Sequence, residues 1–182
     1  MTPLTRDERA LLLEVARESI QHHLGLRANP PQLIDPPAAL EAPCGAFVTL
    51  EKRGELRGCI GTMVSRDPLW RTVARMAVQA ASADPRFPPL LGDELAHCTL
   101  EISVLSPMQP IEPEAIAVGT HGLMITNGYR RGVLLPQVPE KYGWDARVFL
   151  EQTCIKAQLP RHAWREAQTT IEAFTAEVFS EE

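Results

Sequence analysis

Residues 44–63 read CGAFVTLEKRGELRGCIGTM, and the way this stretch folds back on itself decides the architecture. Two alternating runs flank Lys52, Arg53 and Gly54, which is the pattern of a β-hairpin. Two registers compete for it. A two-residue Arg53-Gly54 turn pairs Val48 with Cys59 and Leu50 with Arg57, mixing apolar and charged groups on one face. A three-residue loop with Gly54 in the left-handed position pairs Leu50 with Leu56. That register gathers Val48, Leu50, Leu56 and Ile60 on one face and sends Phe47, Thr49, Arg57 and Cys59 to the other. It keeps the faces clean and is the register expected, with Thr49 opposite Arg57 and Phe47 opposite Cys59.

Outward from the hairpin, the chain alternates helix and strand signals. Upstream, Thr5 and Glu8 form a capping box before Leu12, Leu13, Ala16, Ile20 and Leu24, predicting a helix over 6–24 that stops at Gly25. Residues 27–43 carry five prolines and are expected to be irregular. Downstream, Asp67 as N-cap and Pro68 in the first turn predict a helix over 68–82, with Leu69, Val73, Met76, Ala77 and Ala80 as its buried stripe. ADPRFPPL, residues 83–90, then breaks that helix and holds Asp84, Arg86 and Phe87 in a proline-stiffened loop. Cys98, Leu100, Ile102 and Val104 alternate with Thr99, Glu101 and Ser103, a half-buried strand within 95–105.

The same grammar then repeats. HGLMITNGYRRGVLLPQ, residues 121–137, reads as strand, Asn-Gly turn and strand; DARVFLEQTCIKAQL, residues 145–159, reads as a helix burying Phe149, Leu150, Cys154 and Ala157. Residues 164–179 read as a closing strand, with a short helix as the rival. Two halves, each with a helix after a hairpin, predict an α+β fold with an internal duplication.

Composition bounds the function. At 182 residues and 45% hydrophobic, the chain is expected to be a single domain, residues 1–182. A net charge of -5 with no basic excess argues against nucleic acid as partner. No apolar run spans a bilayer and no signal peptide opens the chain, so a cytoplasmic protein without membrane association is expected. The four cysteines, at 44, 59, 98 and 154, read as free thiols, with Cys98 and Cys154 on apolar faces. They and the scattered histidines match no zinc or iron-sulfur pattern; no metal site is expected, and no motif names a cofactor.

LRGCIGT, DPRFPPL, LEISVLSP and GVLLPQVPEKYGWDARVFLEQTCIKAQLP together resemble the AMMECR domain family over nearly the whole chain. Its small bacterial and archaeal members are similar to those called AmmeMemoRadiSam system protein A. The resemblance implies an α+β domain with two strand-and-helix repeats around one curved, barrel-like, mostly antiparallel sheet. It also implies a setting with a Memo-like protein and a radical S-adenosylmethionine protein as partners. It implies no reaction. The family motif falls on Leu56, Arg57, Gly58, Cys59, Ile60 and Gly61; Asp84, Arg86, Phe87, Glu101, Leu135, Pro136, Gln137, Cys154 and Lys156 match as well.

The chemistry of these residues leaves several readings open. A guanidinium sharing a strand face with Cys59 favours the reactive thiolate, and glycines at 58 and 61 leave room for a substrate. Catalysis would then use Cys59, with Glu101 as a general base if desolvated. Alternatively, the glycines serve close packing and Cys59 is a small buried residue. Arg57 needs a partner, which Asp84, Glu101 or an anionic ligand could supply. Asp84 and Arg86 could hold a ligand or satisfy their own turn; Gln137 is a weaker ligand-binding candidate. A small-molecule-binding or enzymatic component stands beside a non-catalytic accessory domain that takes a peptide or partner protein.

Overall fold

The computed structural model describes residues 2–181. Its contacts divide the chain into two compact units, one formed by Met1–Leu105 with Glu177–Glu182 and the other by Ser106–Ala176. Among the described residues, no helix is long and apolar enough to cross a membrane.

The first unit begins with α1 (Arg6–His23), whose N-terminus carries the expected capping box between Thr5 and Glu8. Its buried stripe includes Leu12, Ala16 and Ile20. The proline-rich connection is less irregular than predicted, because Ala38–Glu41 forms a short helix, α2. Then follow β1 (Ala46–Lys52), β2 (Glu55–Thr62), α3 (Leu69–Ser82) and β3 (Cys98–Leu105). Leu69, Val73, Met76, Ala77 and Ala80 of α3 are all buried, as their spacing predicts. Its start differs: Pro68 is the N-cap without a side-chain bond, and Asp67 pairs with Arg75 at the surface instead.

The second unit repeats the plan. It holds β4 (Gln109–Pro110), the hairpin β5 (Gly122–Asn127) and β6 (Arg130–Leu134), α4 (Gln137–Tyr142), α5 (Ala146–Lys156) and β7 (Thr169–Phe174). Asp145 caps α5 by accepting from the Val148 N–H. The closing segment is strand, as the alternation of Ile171 and Ala173 suggests, but it breaks at Thr175 into β7 and β8 (Ala176–Ser180).

The single curved, barrel-like sheet implied by the resemblance is replaced by two four-stranded sheets, ordered β2-β1-β3-β8 and β4-β7-β5-β6. Neither order closes on itself. The cause lies where strands change partners: the Ser106 N–H donates to the Thr175 carbonyl at 2.9 Å, and the Thr175 N–H donates to Ser106 Oγ at 2.9 Å. On either side of these two residues the chain pairs in a different sheet. The pairings of β1 with β2 and β3, and of β5 with β6 and β7, are antiparallel.

Within each sheet the hairpin's first strand is central, flanked by the hairpin's second strand and by the strand after the helix. The repeats therefore share hairpin, helix, strand and sheet order. In both, a glycine of the second hairpin strand lets a helix touch the sheet. A Cβ on Gly58 would collide with the Ala80 carbonyl of α3, and one on Gly132 with the backbone of Thr153 and Ala157 at the end of α5. Each repeat packs its own apolar core, one around Val48, Leu50 and Ile102, the other around Leu123, Ile125 and Phe149.

Candidate functional site

The register of the first hairpin matches neither competing prediction, and the difference shapes the site. Lys52 pairs with Glu55 across a two-residue turn in which Arg53 and Gly54 both adopt positive φ, 57° and 79°. A bulge follows: Glu51 pairs with Leu56 and Leu50 with Gly58, leaving Arg57 without a partner on β1. Beyond it, Thr49 faces Cys59, Val48 faces Ile60 and Phe47 faces Gly61. The bulge thus reconciles the tight turn with an apolar core face of Val48, Leu50 and Ile60. Leu56 falls outside that face and is 41% exposed.

On the opposite face of the sheet, Cys59 of β2, Thr49 of β1 and Glu101 of β3 form one row across three strands. Thr49 Oγ1 donates to Cys59 Sγ at 3.3 Å. Cys59 is half-buried, whereas Cys44, Cys98 and Cys154 are buried, and all four are free. Burial pushes the thiols of Cys98 and Cys154 up. Glu101 is half-buried too; desolvation and, secondarily, the Glu51 carboxylate raise its pKa above the ordinary carboxylate value. Among the described residues, no histidine hydrogen-bonds Cys59, and no cluster of three or more His, Cys, Asp or Glu could hold a metal ion.

β2 is an edge strand, so its outward backbone groups need partners from elsewhere. The loop after α3 supplies them at Cys59. Asp84 Oδ2 accepts the Cys59 N–H at 2.9 Å, and Arg86 Nη2 donates to the Cys59 carbonyl at 3.3 Å. The two side chains are joined in a fork, Arg86 Nε to Oδ1 at 2.9 Å and Nη2 to Oδ2 at 2.7 Å. Asp84 is buried; the Arg86 guanidinium, helped by the N–H groups of Cys59 and Arg86, holds its carboxyl far below the usual range against the cost of burial. Asp84 and Arg86 therefore satisfy each other and the strand edge.

Arg57 does not act on Cys59 as the predicted shared face suggests, and its acidic partner is neither Asp84 nor Glu101. Its side chain runs to the proline-rich loop, donating to the Pro88 carbonyl at 2.9 Å and to Glu94 Oε2 at 3.0 Å. Glu94 also takes Lys52 Nζ at 2.7 Å and the Leu91 N–H at 3.1 Å. Arg57 first, then Lys52 and the Leu91 N–H, bring the Glu94 carboxyl down to about 2. Glu94 is the residue that sequence reasoning missed, since nothing in the loop GDELAH marks one acid over another.

Gly58 and Gly61 are occupied by packing, Gly58 against α3 and Gly61 against the Phe47 ring. Gln137 is exposed at the start of α4, in the second unit. The structure thus brings Arg57, Gly58, Cys59, Gly61, Asp84, Arg86 and Glu101 together in the first unit, and it adds Thr49 and Glu94.

Comparing the repeats separates what the fold needs from what it does not. Leu50 sits opposite Gly58 and Leu100; Ile125 sits opposite Gly132 and Ile171. The row one step along is Cys59–Thr49–Glu101 in the first repeat and Val133–Met124–Glu172 in the second. The same sheet position accepts valine and methionine, so neither the thiol nor the hydroxyl is demanded by the architecture. The second hairpin also pairs without a bulge.

These features define an α+β protein built from two hairpin–helix–strand repeats, with one cysteine displayed on a clamped edge strand. The AMMECR1 family model matches residues 13–179, and the chain belongs to that family. A protein of Methanothermobacter thermautotrophicus is 42% identical over 187 aligned residues, covering 99% of this chain and 97% of its own. One of Aquifex aeolicus is 43% identical over 145 residues, covering 75% and 74%. The crystal structure of the uncharacterised protein PH0010 from Pyrococcus horikoshii is similar with a TM-score of 0.84 at 37% identity, covering 98% of this chain and 94% of that one.

Proposed function

We propose that this protein is a small-molecule-binding or enzymatic component whose working group is the Cys59 thiol. Thr49 donates to the sulfur, and Glu101, its pKa raised by desolvation, stands in the same row. Arg57, Asp84 and Arg86 act as positioning residues, fixing the strand that presents the thiol, while Gly58 and Gly61 set its packing. The observation that carries the reading is the contrast between repeats. A thiol and a hydroxyl occupy, in the first, a row that the second fills with Val133 and Met124. The bulge and the Asp84–Arg86 clamp lie beside that row, and bulges recur next to active sites because they re-aim side chains. The resemblance supports a setting in which the protein works with a Memo-like protein and a radical S-adenosylmethionine protein, in the cytoplasm.

Alkylation of the native protein by iodoacetamide, followed cysteine by cysteine with mass spectrometry, tests this. Cys59 is expected to label in the folded protein while buried Cys44, Cys98 and Cys154 label only after unfolding. In Thr49→Val, Cys59 is expected to label several-fold more slowly, since one hydrogen bond to the sulfur is lost. Labelling of Cys59 only in the unfolded chain would sink the proposal and favour the non-catalytic accessory reading. The internal pairing of Arg57 with Glu94 and of Asp84 with Arg86 is the observation on that side.

A further inference from the structure

The proline-rich segment before α2 leaves a groove against α3 of about 560 Å³. It uses none of the residues assigned above. One wall is the irregular stretch Pro31, Gln32 and Leu33; the other is the α3 surface of Trp70, Arg71 and Arg75. The tryptophan is held in place, its Nε1–H donating to Glu41 Oε1 at 3.1 Å and the Arg71 guanidinium lying 5.0 Å over its ring.

Two features point to an occupant. The first is charge: among the described residues, two arginines and no carboxylate line the groove itself, in a chain of net charge -5, and the nearby acids Glu41 and Asp67 are bonded to Trp70 and Arg75. Arg75 has only a half-exposed pairing with Asp67, and Arg71 pairs with no carboxylate among the described residues. The second is the backbone. Among the described residues, 27–36 make no backbone–backbone hydrogen bond, so the backbone of Gln32 and Leu33 is committed to no helix or strand. Ile34, next in the chain, is 90% exposed.

We propose that this groove binds an extended peptide segment of a partner protein that carries acidic and apolar residues. Its backbone would pair with Gln32 and Leu33, its carboxylates would meet Arg71 and Arg75, and its apolar side chains would pack on Trp70 and Leu33. Aromatic and arginine side chains are the types enriched at such contacts, and free backbone groups give an extended peptide its register.

The test is selection of random dodecapeptides displayed on phage against the immobilised full chain, counter-selected on the double variant Arg71→Glu/Arg75→Glu. Enriched sequences are expected to combine Asp or Glu with apolar residues. A synthetic peptide of the consensus is expected to change tryptophan fluorescence saturably. Its binding to Arg71→Ala/Arg75→Ala is expected to be about tenfold weaker, as two exposed charge contacts allow. Gln32→Pro, which removes a wall N–H without touching charge, is expected to weaken binding as well. Thermal melting at the wild-type temperature confirms that each variant is folded. No enrichment over the charge-reversed protein would overturn the proposal, as would consensus sequences without acidic residues or equal competition by a single-stranded oligonucleotide.

Discussion

Glu94 and Asp84 are the carboxylates on which the Cys59 strand depends, and both titrate below their ordinary range. Glu94 falls from 4.5 to about 2 because Arg57, Lys52 and the Leu91 N–H all favour its charged form. A group whose folded pKa is depressed contributes stability that is present above the unfolded value and lost as pH falls through the folded one. Stability is therefore expected to decline between pH 4.5 and about 2, with Asp84 adding to the loss in the same direction. Urea titrations across that window check it: in Glu94→Gln the slope with pH should be shallower, and an unchanged slope would mean that Glu94 titrates alike in the folded and unfolded chains. That Arg57 needs an acid was legible from an arginine among apolar strand residues. Which acid was not, because the bulge redirects the side chain and Glu94 lies 37 residues away in sequence.

The first hairpin explains why its faces could be read only in part. Thr49 and Cys59 do share the face away from the helices, as alternation predicts. Alternation assumes one residue per step, however, and a bulge adds one without any compositional mark. The tight Arg53-Gly54 turn looked incompatible with a clean core face, yet the extra residue at Arg57 makes both true. Elements with strong periodicity were legible almost to their ends, α3 through its stripe and α1 through its capping box. Short elements fixed by tertiary contact, such as α2 and α4, carried no such signal.

The shared glycine contacts give the hairpins a second test. Gly58→Ala and Gly132→Ala each force a helix away from its sheet and are expected to cost about 1–3 kcal/mol, measured by urea denaturation. By contrast, the pair Cys59→Val with Thr49→Met imports the residues of the second repeat into the first. Both new side chains are larger, but the two positions are half-buried rather than core, so stability is expected to change by less than about 1.5 kcal/mol while the labelling at Cys59 is removed. A large loss of stability in that double variant would mean the row serves packing.

The two repeats exchange their outer strands along the chain: β4 follows β3 but joins the sheet of β7, and β8 follows β7 but joins the sheet of β3. The first sheet is therefore incomplete until β8 is made. Glu177 of β8 accepts the Leu4 N–H and Arg9 Nε at 2.8 Å; Glu181 just beyond accepts Arg17 Nε at 2.6 Å and the Leu100 N–H at 2.9 Å. Phe179 packs on the first core. A chain of residues 1–105 would lack all of these, leaving β3 with an open edge and apolar surface uncovered. It is expected to bind the dye ANS and to melt broadly, and a synthetic peptide of residues 176–182 added in trans should restore a cooperative transition saturably. Because the bonds to Glu177 and Glu181 are charge-assisted, the Glu177→Gln/Glu181→Gln peptide should need at least tenfold more to do so. If residues 1–105 alone melted as cooperatively as the intact chain, β8 would be an ornament on a finished unit. If the peptide rescues, contacts distant in sequence close the first core, and folding of the unit that displays Cys59 waits on residues 176–182.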